Sequence, residues 1–369
     1  MIAHSSSQRP IGVALVGVGF GEKVHLPALH DCPYTEPVAL WHHRQERLEQ
    51  ASISTGLPGF SSYDALLADP RVEALVIATP PEPRFVLAQA AIAAGKHLLL
   101  EKPVALEAGQ IEELQRQALS AGVTVAVDFE YRAVPAFMQL AALLEQSAIG
   151  TPWLVKLDWL MGSRADASRP WNWYSQRAAG GGVLGSLGTH AFDTLHWLLG
   201  PARQVSCLRS MAIPHRPLAD GSGRLAAVDA EDIALLQLEL ETTQGLLLPA
   251  QVSLASVTRP GRGYWIEVYG SEGSLVLGSS NQSDYVHGFQ LWRSKQGGPL
   301  EELALDADLA FAHTWPDGRV APVRRLIEWW AQAALEGRPM RPGLSEAVHS
   351  QLICDRAMQA ADSGLRQPI

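Results

Sequence analysis

The stretch IGVALVGVGFG (residues 11–21) decides the fold of the first third of the chain. Its first six residues, Ile11–Val16, form a continuous apolar run, which is typical of a parallel strand buried on both faces. Glycines at positions 17, 19 and 21 follow at once, and glycine permits the tight turn from such a strand into a helix. The stretch therefore predicts a strand, a turn and a helix in that order.

This strand opens a series in which apolar runs alternate with helical patterns. The further predicted strands are Val38–Trp41, Ala74–Ala78, His97–Leu100 and Thr124–Val127. The predicted helices between them are Arg44–Ser54, Tyr63–Ala68, Arg84–Ala94 and Leu106–Ala121. Such βαβ units predict a doubly wound parallel sheet, a Rossmann domain, over residues 1–127.

The pattern changes after Val127. Alternating stretches follow one another without intervening helices, which predicts antiparallel strands. They are Gln204–Ile213, Ala230–Glu241, Gly245–Ser256, Trp265–Gly270 and Gly273–Leu277. We expect residues 128–369 to form an α+β domain with an open, mostly antiparallel sheet and a C-terminal helix that packs back on the first domain. Residues Arg216–Arg224 are expected to form an exposed loop.

Composition excludes several classes of protein. The 369 residues carry a net charge of −9 and no basic stripe, so neither nucleic acid nor an anionic membrane is expected as a partner. The three cysteines are far apart, which argues against a disulfide framework or zinc cluster and favours a cytoplasmic location. Residues 1–10 are a polar leader without the apolar region of a signal peptide, and no uninterrupted apolar stretch suggests a membrane span. We also expect no metal, because neither an HExxH motif nor a paired-carboxylate spacing occurs.

The glycine turn is a candidate site for a dinucleotide. Backbone N–H groups of such a turn approach a pyrophosphate at the start of the following helix. Gly17 and Gly19 fill the first two positions of the GxGxxG pattern, whereas the third is Glu22, and Gly21 lies one residue early. The alternative is an ordinary strand-to-helix turn.

The end of the second strand bears on the choice of cofactor. A carboxylate expected there for the adenosine ribose of NAD is missing, and the sequence reads His42-His43-Arg44. Arg44 can pair with a 2′-phosphate, which favours NADP over NAD. The alternative is that Arg44 is a solvated residue at the start of a helix.

The chain resembles the Gfo/Idh/MocA oxidoreductases (glucose–fructose oxidoreductase, inositol dehydrogenase and rhizopine catabolism). Four groups of motifs, spread over most of the chain, carry the resemblance. They are GVG with KVHLPA (17–19, 23–28); IATPP, AGKH and EKP (77–81, 94–97, 101–103); GGG through GTH to Asp193 (180–193); and AED with VYGSEG (230–232, 268–273).

The resemblance implies a substrate cleft between the two domains and an oligomer, a homodimer or homotetramer, formed through one face of the C-terminal sheet. The cofactor-binding residues expected are Gly17, Gly19, Phe20, Gly21, His43, Arg44, Thr79, Pro80, Pro81, Glu101 and Lys102.

Three residues are expected to be catalytic. By resemblance, Lys102 of the Glu-Lys-Pro motif orients and polarises the substrate oxygen, and His190 exchanges the proton, a role that imidazole suits near neutral pH. Asp193, three residues on, would orient His190 or contact the substrate. Taken alone, the lysine would be a surface residue, the histidine structural, and Asp193 a first-turn helix carboxylate.

Further residues are expected at the substrate. Tyr131 and Arg132 follow the fifth strand, and Trp171 and Trp173 precede the triple glycine; the tryptophans would stack on a hydroxylated ring or pack at a domain interface. Ser186 is also expected at the substrate, although the family often has Asp there. Arg84 is a second departure, because the family commonly has histidine at that position.

The sequence therefore predicts an NAD(P)-dependent dehydrogenase or reductase of a small polar substrate, a sugar, polyol or cyclic hydroxy compound by family analogy. Two alternatives stay open. Ser186 and Arg84 favour a non-catalytic NAD(P)-binding redox sensor, and a reductase of a non-sugar substrate such as a tetrapyrrole or imine is the other.

Overall fold

The first domain is built from alternating strands and helices in the computed structural model, which describes residues 9–281, 283–284 and 286–369. Residues 1–8 of the predicted leader lie outside that range. The strands are β1 Ile11–Val16, β2 Thr35–Trp41, β3 Gly59–Phe60, β4 Ala74–Ile77, β5 His97–Leu100 and β6 Val125–Val127. The helices are α1 Leu26–Asp31, α2 Gln45–Thr55, α3 Tyr63–Ala68, α4 Pro81–Ala93 and α5 Ala108–Ala121. A π-helical turn, Gly21–His25, leads from the glycine turn into α1.

These strands form one parallel sheet in the order β3-β2-β1-β4-β5-β6. Both faces are covered, because alternate residues of β1 enter different cores. Val13 and Leu15 pack with α1, whereas Ala14 and Val16 pack with α4 and α5. The continuous apolar runs in the sequence are explained by this two-sided burial. The predicted doubly wound parallel sheet is confirmed.

The second domain combines a large sheet with helices on one face. Its strands are β7 Pro152–Leu160, β8 Ala202–Ser210, β9 His215–Pro217, β10 Leu225–Ala227, β11 Ile233–Glu241, β12 Leu247–Ala255, β13 Gly263–Gly270, β14 Gly273–Ser279, β15 Gln290–Lys295, β16 Glu301–Leu303 and β17 Gln367–Pro368. Its helices are α6 Pro135–Glu145, α7 Thr189–Leu199, α8 Val320–Leu335 and α9 Leu344–Ser363.

The sheet runs β16-β15-β14-β13-β7-β12-β11-β8-β17 and is antiparallel except where β7 pairs with β12. Its inner face packs against α6, α7 and α9, while the alternate side chains on its outer face remain exposed in several strands. The predicted open, mostly antiparallel sheet is confirmed. One detail was wrong: Arg216, expected in an exposed loop, lies in β9 and is 1% exposed.

The last two helices return to the first domain. Helix α8 packs against α1, and its Trp330 is completely buried in the core beneath β1. Helix α9 packs against α5 on one side and α7 on the other. The chain is thus drawn together around a cleft at the carboxyl ends of the parallel strands, where ligands bind in such sheets.

Candidate active site

The glycine turn after β1 has the geometry that a dinucleotide requires. Gly17 and Gly19 have φ angles of +95° and +114°, which favour glycine. A Cβ on Gly17 would lie 2.9 Å from the carbonyl carbon of Ala78, so the turn packs tightly against the end of β4. A Cβ on Gly19 would meet nothing within 4 Å, and this residue is exposed. The open side of the turn is therefore free for a pyrophosphate to approach the backbone.

Gly21 explains the irregular spacing of the motif. A Cβ there would lie 2.8 Å from Cδ1 of Leu15 and 3.3 Å from Cβ of Ala78, so a larger residue would have to displace the buried Leu15 side chain for the helical turn to stay this close to the sheet. Glu22 turns its carboxylate towards α2, where it accepts a hydrogen bond of 2.7 Å from the Ser54 hydroxyl. Gly21 thus provides the close helix–strand packing assigned to the third glycine of the pattern.

The end of β2 is basic. His42 and His43 stack with their ring centroids 4.4 Å apart, and the backbone N–H of Arg44 donates to Nδ1 of His42 at 3.0 Å. Arg44 precedes the first residue of α2, and both His43 and Arg44 are exposed. Burial, followed by the neighbouring His43, lowers the pKa of His42. Positive and neutral groups therefore surround the expected position of the adenosine ribose.

The turn after β4 is held by Arg84. Its guanidinium, 2% exposed, donates to the carbonyl oxygens of Thr79, Glu101 and Pro103, so it ties the ends of β4 and β5 together. Burial lowers the pKa of Arg84 to about 10. The Thr79 hydroxyl beside this turn is buried and has no hydrogen-bond partner among the residues that the structure describes. Arg84 therefore has a structural role here, and a polar atom is left for a ligand.

Lys102 reaches across to the second domain. Its Nζ donates to the backbone carbonyl of Ser186 at 2.9 Å, four residues before His190. The Ser186 hydroxyl donates to the carbonyl of Gly182 at 2.7 Å. Ser186 therefore positions the ammonium group through its backbone, and its side chain is engaged within the helical turn that precedes α7.

His190 is buried next to a carboxylate that the sequence analysis did not identify. Its Nε2 lies 3.5 Å from Oε2 of Glu130, and its ring makes an edge contact with Tyr131 at 5.0 Å between centroids. Burial, followed by the charge of Lys102, lowers the pKa of His190 well below its usual range. Burial raises the pKa of Glu130 to about 7, with Lys102 opposing the rise. The imidazole is thus neutral at pH 7, and the carboxyl group titrates near that pH.

His25, Glu101 and Asp128 form a buried cluster next to Lys102. Nε2 of His25 lies 2.8 Å from Oε1 of Glu101 and 3.5 Å from Oδ2 of Asp128. Although burial raises the pKa of Glu101, the hydrogen bond with His25 and the charges of its neighbours lower it to about 2. Burial and the neighbouring carboxylates Glu101 and Glu130 raise the pKa of Asp128 well above its usual range. The three ligand atoms are close enough to hold a metal, but the direct His25–Glu101 contact already pairs the two side chains.

These elements enclose a cleft of about 560 Å³ between the domains. Its lining includes the predicted residues Phe20, Thr79, Pro80, Glu101, Lys102, Trp173, Ser186 and His190. It also includes Glu130, Arg164, Arg169, Tyr174 and Arg319, which the sequence analysis missed. Glu130 follows β6, and a search of the carboxyl ends of all predicted strands would have found it. Arg164 and Arg169 lie in a long loop and leave no comparable signal.

Four of the residues predicted to be catalytic or substrate-binding lie away from the cleft lining: Asp193, Arg132, Tyr131 and Trp171. Asp193 accepts two hydrogen bonds from Arg132, at 2.7 and 2.8 Å, and this ion pair is buried. Asp193 is therefore committed to Arg132 and makes no hydrogen bond to His190 in the described part of the chain. Tyr131 packs in an aromatic cluster with Phe137 and Tyr264, and Trp171 donates its indole N–H to the carbonyl of Ala227. Each side chain is occupied by the core or a neighbouring loop instead of the substrate region.

The chain matches two domains of one family. Residues 11–129 match the Gfo/Idh/MocA domain described as "Oxidoreductase family, NAD-binding Rossmann fold", and residues 141–368 match its "C-terminal alpha/beta domain". An uncharacterized oxidoreductase of Synechocystis sp. (sll0816) is 44% identical over 349 residues, which cover 94% of this chain and 93% of that protein. Levoglucosan dehydrogenase of Pseudarthrobacter phenanthrenivorans is 27% identical over 381 residues, with 95% and 96% covered.

The fold is shared with solved structures. A levoglucosan dehydrogenase in complex with NADH and L-sorbose superposes with a TM-score of 0.86 at 23% identity, covering 97% of this chain and 98% of that one. No helix in the described residues is long and apolar enough to cross a membrane. The two matched domains together span nearly the whole sequence, so this chain belongs to the Gfo/Idh/MocA family of oxidoreductases, with an NAD-binding Rossmann domain at its N-terminus.

Proposed function

We propose that this oxidoreductase transfers a hydride between a nicotinamide cofactor and a hydroxyl- or carbonyl-bearing carbon of a sugar, polyol or cyclic hydroxy compound. One observation carries the proposal: Lys102 of the first domain and His190 of the second line the same cleft. The Lys102 ammonium also donates a hydrogen bond to the carbonyl oxygen of Ser186, which precedes His190 by four residues. The dehydrogenases of levoglucosan and D-xylose among the relatives support a sugar-like substrate.

The chain contributes orientation and proton transfer. When bound, a nicotinamide cofactor supplies the hydride acceptor or donor. The Lys102 ammonium donates a hydrogen bond to the substrate oxygen and polarises it. The neutral His190 imidazole accepts the hydroxyl proton during oxidation and returns it during reduction.

Glu130 supplies the carboxylate that Ser186 lacks. Its Oε2 atom, 3.5 Å from Nε2 of His190, is in a position to stabilise the imidazolium and to relay its proton. This carboxylate favours an enzyme over a redox sensor, because the departure at Ser186 is compensated from another element.

The test is a screen of sugars, polyols, imines and tetrapyrroles for turnover, followed by two variants. His190→Asn and Lys102→Met should each lower kcat by about 100-fold or more, because each removes a group that acts on the reacting oxygen. The exposed His30, on α1, offers a matched control as His30→Asn. Full activity in either variant removes that residue from the mechanism, and cofactor binding without turnover of any compound would favour the sensor.

The cofactor proposed is NADP. His43 and Arg44 lie where NAD-specific sites place a carboxylate, and a guanidinium pairs well with a phosphate. The solved complexes of levoglucosan dehydrogenase contain NADH, so the preference of this chain rests on its own residues at the end of β2.

We also propose that the outer face of the large sheet joins subunits into a homodimer or homotetramer. The supporting observation is a set of exposed apolar side chains on that face: Leu154 is 38% exposed, Leu208 68%, Leu235 47% and Tyr269 38%. Leu208 and Leu235 are paired neighbours on β8 and β11. Apolar patches of this kind mark protein–protein interfaces.

A further inference from the structure

Two arginines that the proposed chemistry does not use line the active-site cleft. Arg164 and Arg169 belong to the loop that follows β7, and they line the same cleft as Lys102 and His190. Arg164 is partly buried, whereas Arg169 is exposed at the mouth. The cleft therefore has cationic groups on its second-domain side, in addition to the ammonium of Lys102.

The position of Arg164 is fixed by its surroundings. Its backbone N–H donates to the carbonyl of Ser256 at 2.8 Å, and its guanidinium lies over the Tyr174 ring at 5.0 Å. Beneath the loop, the guanidinium of Arg216 donates to the carbonyl oxygens of Arg164 and Asp166, at 2.7 and 2.8 Å. A buried arginine thus anchors the backbone of the cationic loop, and the loop is shaped before any ligand arrives.

Neither guanidinium makes a direct ion pair with another described residue, although Asp232 acts on Arg164 and Asp166 on Arg169 from a greater distance. Within the described residues, no carboxylate lies within 4.0 Å of the guanidinium of Arg164 or Arg169, whereas Arg319 in the same cleft pairs with Asp317 at 2.7 Å. Burial, followed by the charges of Arg216 and Arg169, lowers the pKa of Arg164. Like charges gathered in a partly buried cleft cost free energy, and a bound anion offsets that cost.

We propose that the substrate carries an anionic group, a carboxylate or a phosphate, which Arg164 and Arg169 bind while its hydroxyl-bearing carbon lies between Lys102 and His190. The inference rests on the proposed function and narrows its substrate class to sugar acids and phosphorylated sugars. A guanidinium offers two parallel N–H donors that match either oxyanion. Trp173 and Tyr174, stacked with their centroids 3.8 Å apart, lie beside the arginines and offer an apolar wall for the carbon skeleton.

The test measures binding to the cofactor-saturated protein by calorimetry. The probes are D-gluconate and D-glucuronate as carboxylates, D-glucose 6-phosphate as a phosphate, and D-glucose as the neutral match. Wild type should bind at least one anionic probe about tenfold more tightly than D-glucose, and Arg164→Gln and Arg169→Gln should each weaken that probe by about tenfold. Arg116→Gln, an exposed position on α5, removes the same charge and should change nothing.

The two acids and the phosphate ester separate the sources of the anion. Equal affinity for neutral and anionic probes, unchanged affinity in both arginine variants, or no measurable binding of any anionic probe would each overturn the inference. Failure of the proposed function has a different signature: the cofactor does not bind, or turnover persists in His190→Asn and Lys102→Met. Anion affinity that depends on Arg164 would survive the second of these results.

Discussion

Lys102 and His190 come from different domains, and the hydrogen bond from Lys102 Nζ to the Ser186 carbonyl joins the two parts of the site. Glu130 is the third residue of this cluster, because its Oε2 atom lies 3.5 Å from Nε2 of His190. The carboxylate often found at position 186 in this family is absent, and the one available near the imidazole is contributed by the segment after β6. The candidate site thus contains an imidazole–carboxylate pair whose carboxylate comes from the segment after β6.

Changing Glu130 to glutamine should alter the pH dependence of turnover. The pKa of the buried Glu130 carboxyl is raised to about 7, so its ionised fraction, and with it the capacity to take the proton from His190, grows as the pH rises through 7. The oxidation rate should therefore rise with pH around a midpoint near 7, and the reduction rate should fall over the same range. Glu130→Gln should remove this inflection and lower kcat by about tenfold or more.

Steady-state kinetics of wild type and variant from pH 5 to 9 at saturating cofactor check this, with the exposed Glu145→Gln on α6 as a matched control. An inflection that persists unchanged in Glu130→Gln would assign the titration to another group. If Glu130→Gln changed only KM and left kcat and its pH profile intact, Glu130 would be a binding residue and not a proton relay.

Single residues were predicted most reliably where a motif marks them. Lys102 and His190 were identified from short motifs, and both line the cleft. Asp193 was assigned from its spacing to His190, but spacing on a helix does not reveal that Arg132 offers two hydrogen bonds from a preceding segment. Glu130 could have been found from its place just after β6, whereas Arg164 and Arg169 carry no periodic or motif signal, because tertiary packing alone brings them to the cleft.

At the scale of elements, the sequence predicts a strand well when one face or both faces of that strand are buried along its whole length. Continuous apolar runs predicted the parallel sheet, and alternation predicted the antiparallel one. Short elements were not predicted. Strands β9 and β10 have three residues each, and the buried Arg216 in β9 was assigned to an exposed loop. From sequence alone a charged residue is expected to be exposed. The burial of Arg216 is explained by the carbonyl oxygens of Arg164 and Asp166, which accept its hydrogen bonds.

The outer face of the large sheet should hold subunits together. Replacing Leu235 by glutamate puts a charge beside the exposed Leu208 on this face and should dissociate the oligomer, because burying an unpaired carboxylate is costly. The mass in solution, by light scattering or analytical ultracentrifugation, should fall from a dimer or tetramer to a smaller species. Leu119→Glu, on an 84% exposed position of α5, is the matched control. A monomeric wild type, or an unchanged mass in Leu235→Glu, would contradict this interface.

At the scale of the whole molecule, residues of both domains line one candidate cleft. The glycine turn lies on the first domain, the histidine and the arginines on the second, and α8 and α9 pack against the first domain from the end of the chain. Sequence patterns predicted both sheets, but they could not predict how the sheets face each other. That arrangement determines which charges share the cleft.

We propose that a nicotinamide dinucleotide binds at the glycine turn and that the basic end of β2 favours NADP. Titrating the protein's fluorescence with NADPH and separately with NADH tests it directly, using Arg44→Asp as the variant. We predict sub-millimolar binding of both, with NADPH about tenfold tighter in wild type and the preference lost or reversed in Arg44→Asp. Tighter NADH binding by wild type would contradict the NADP preference, and no binding of either would contradict the account of the site as a whole.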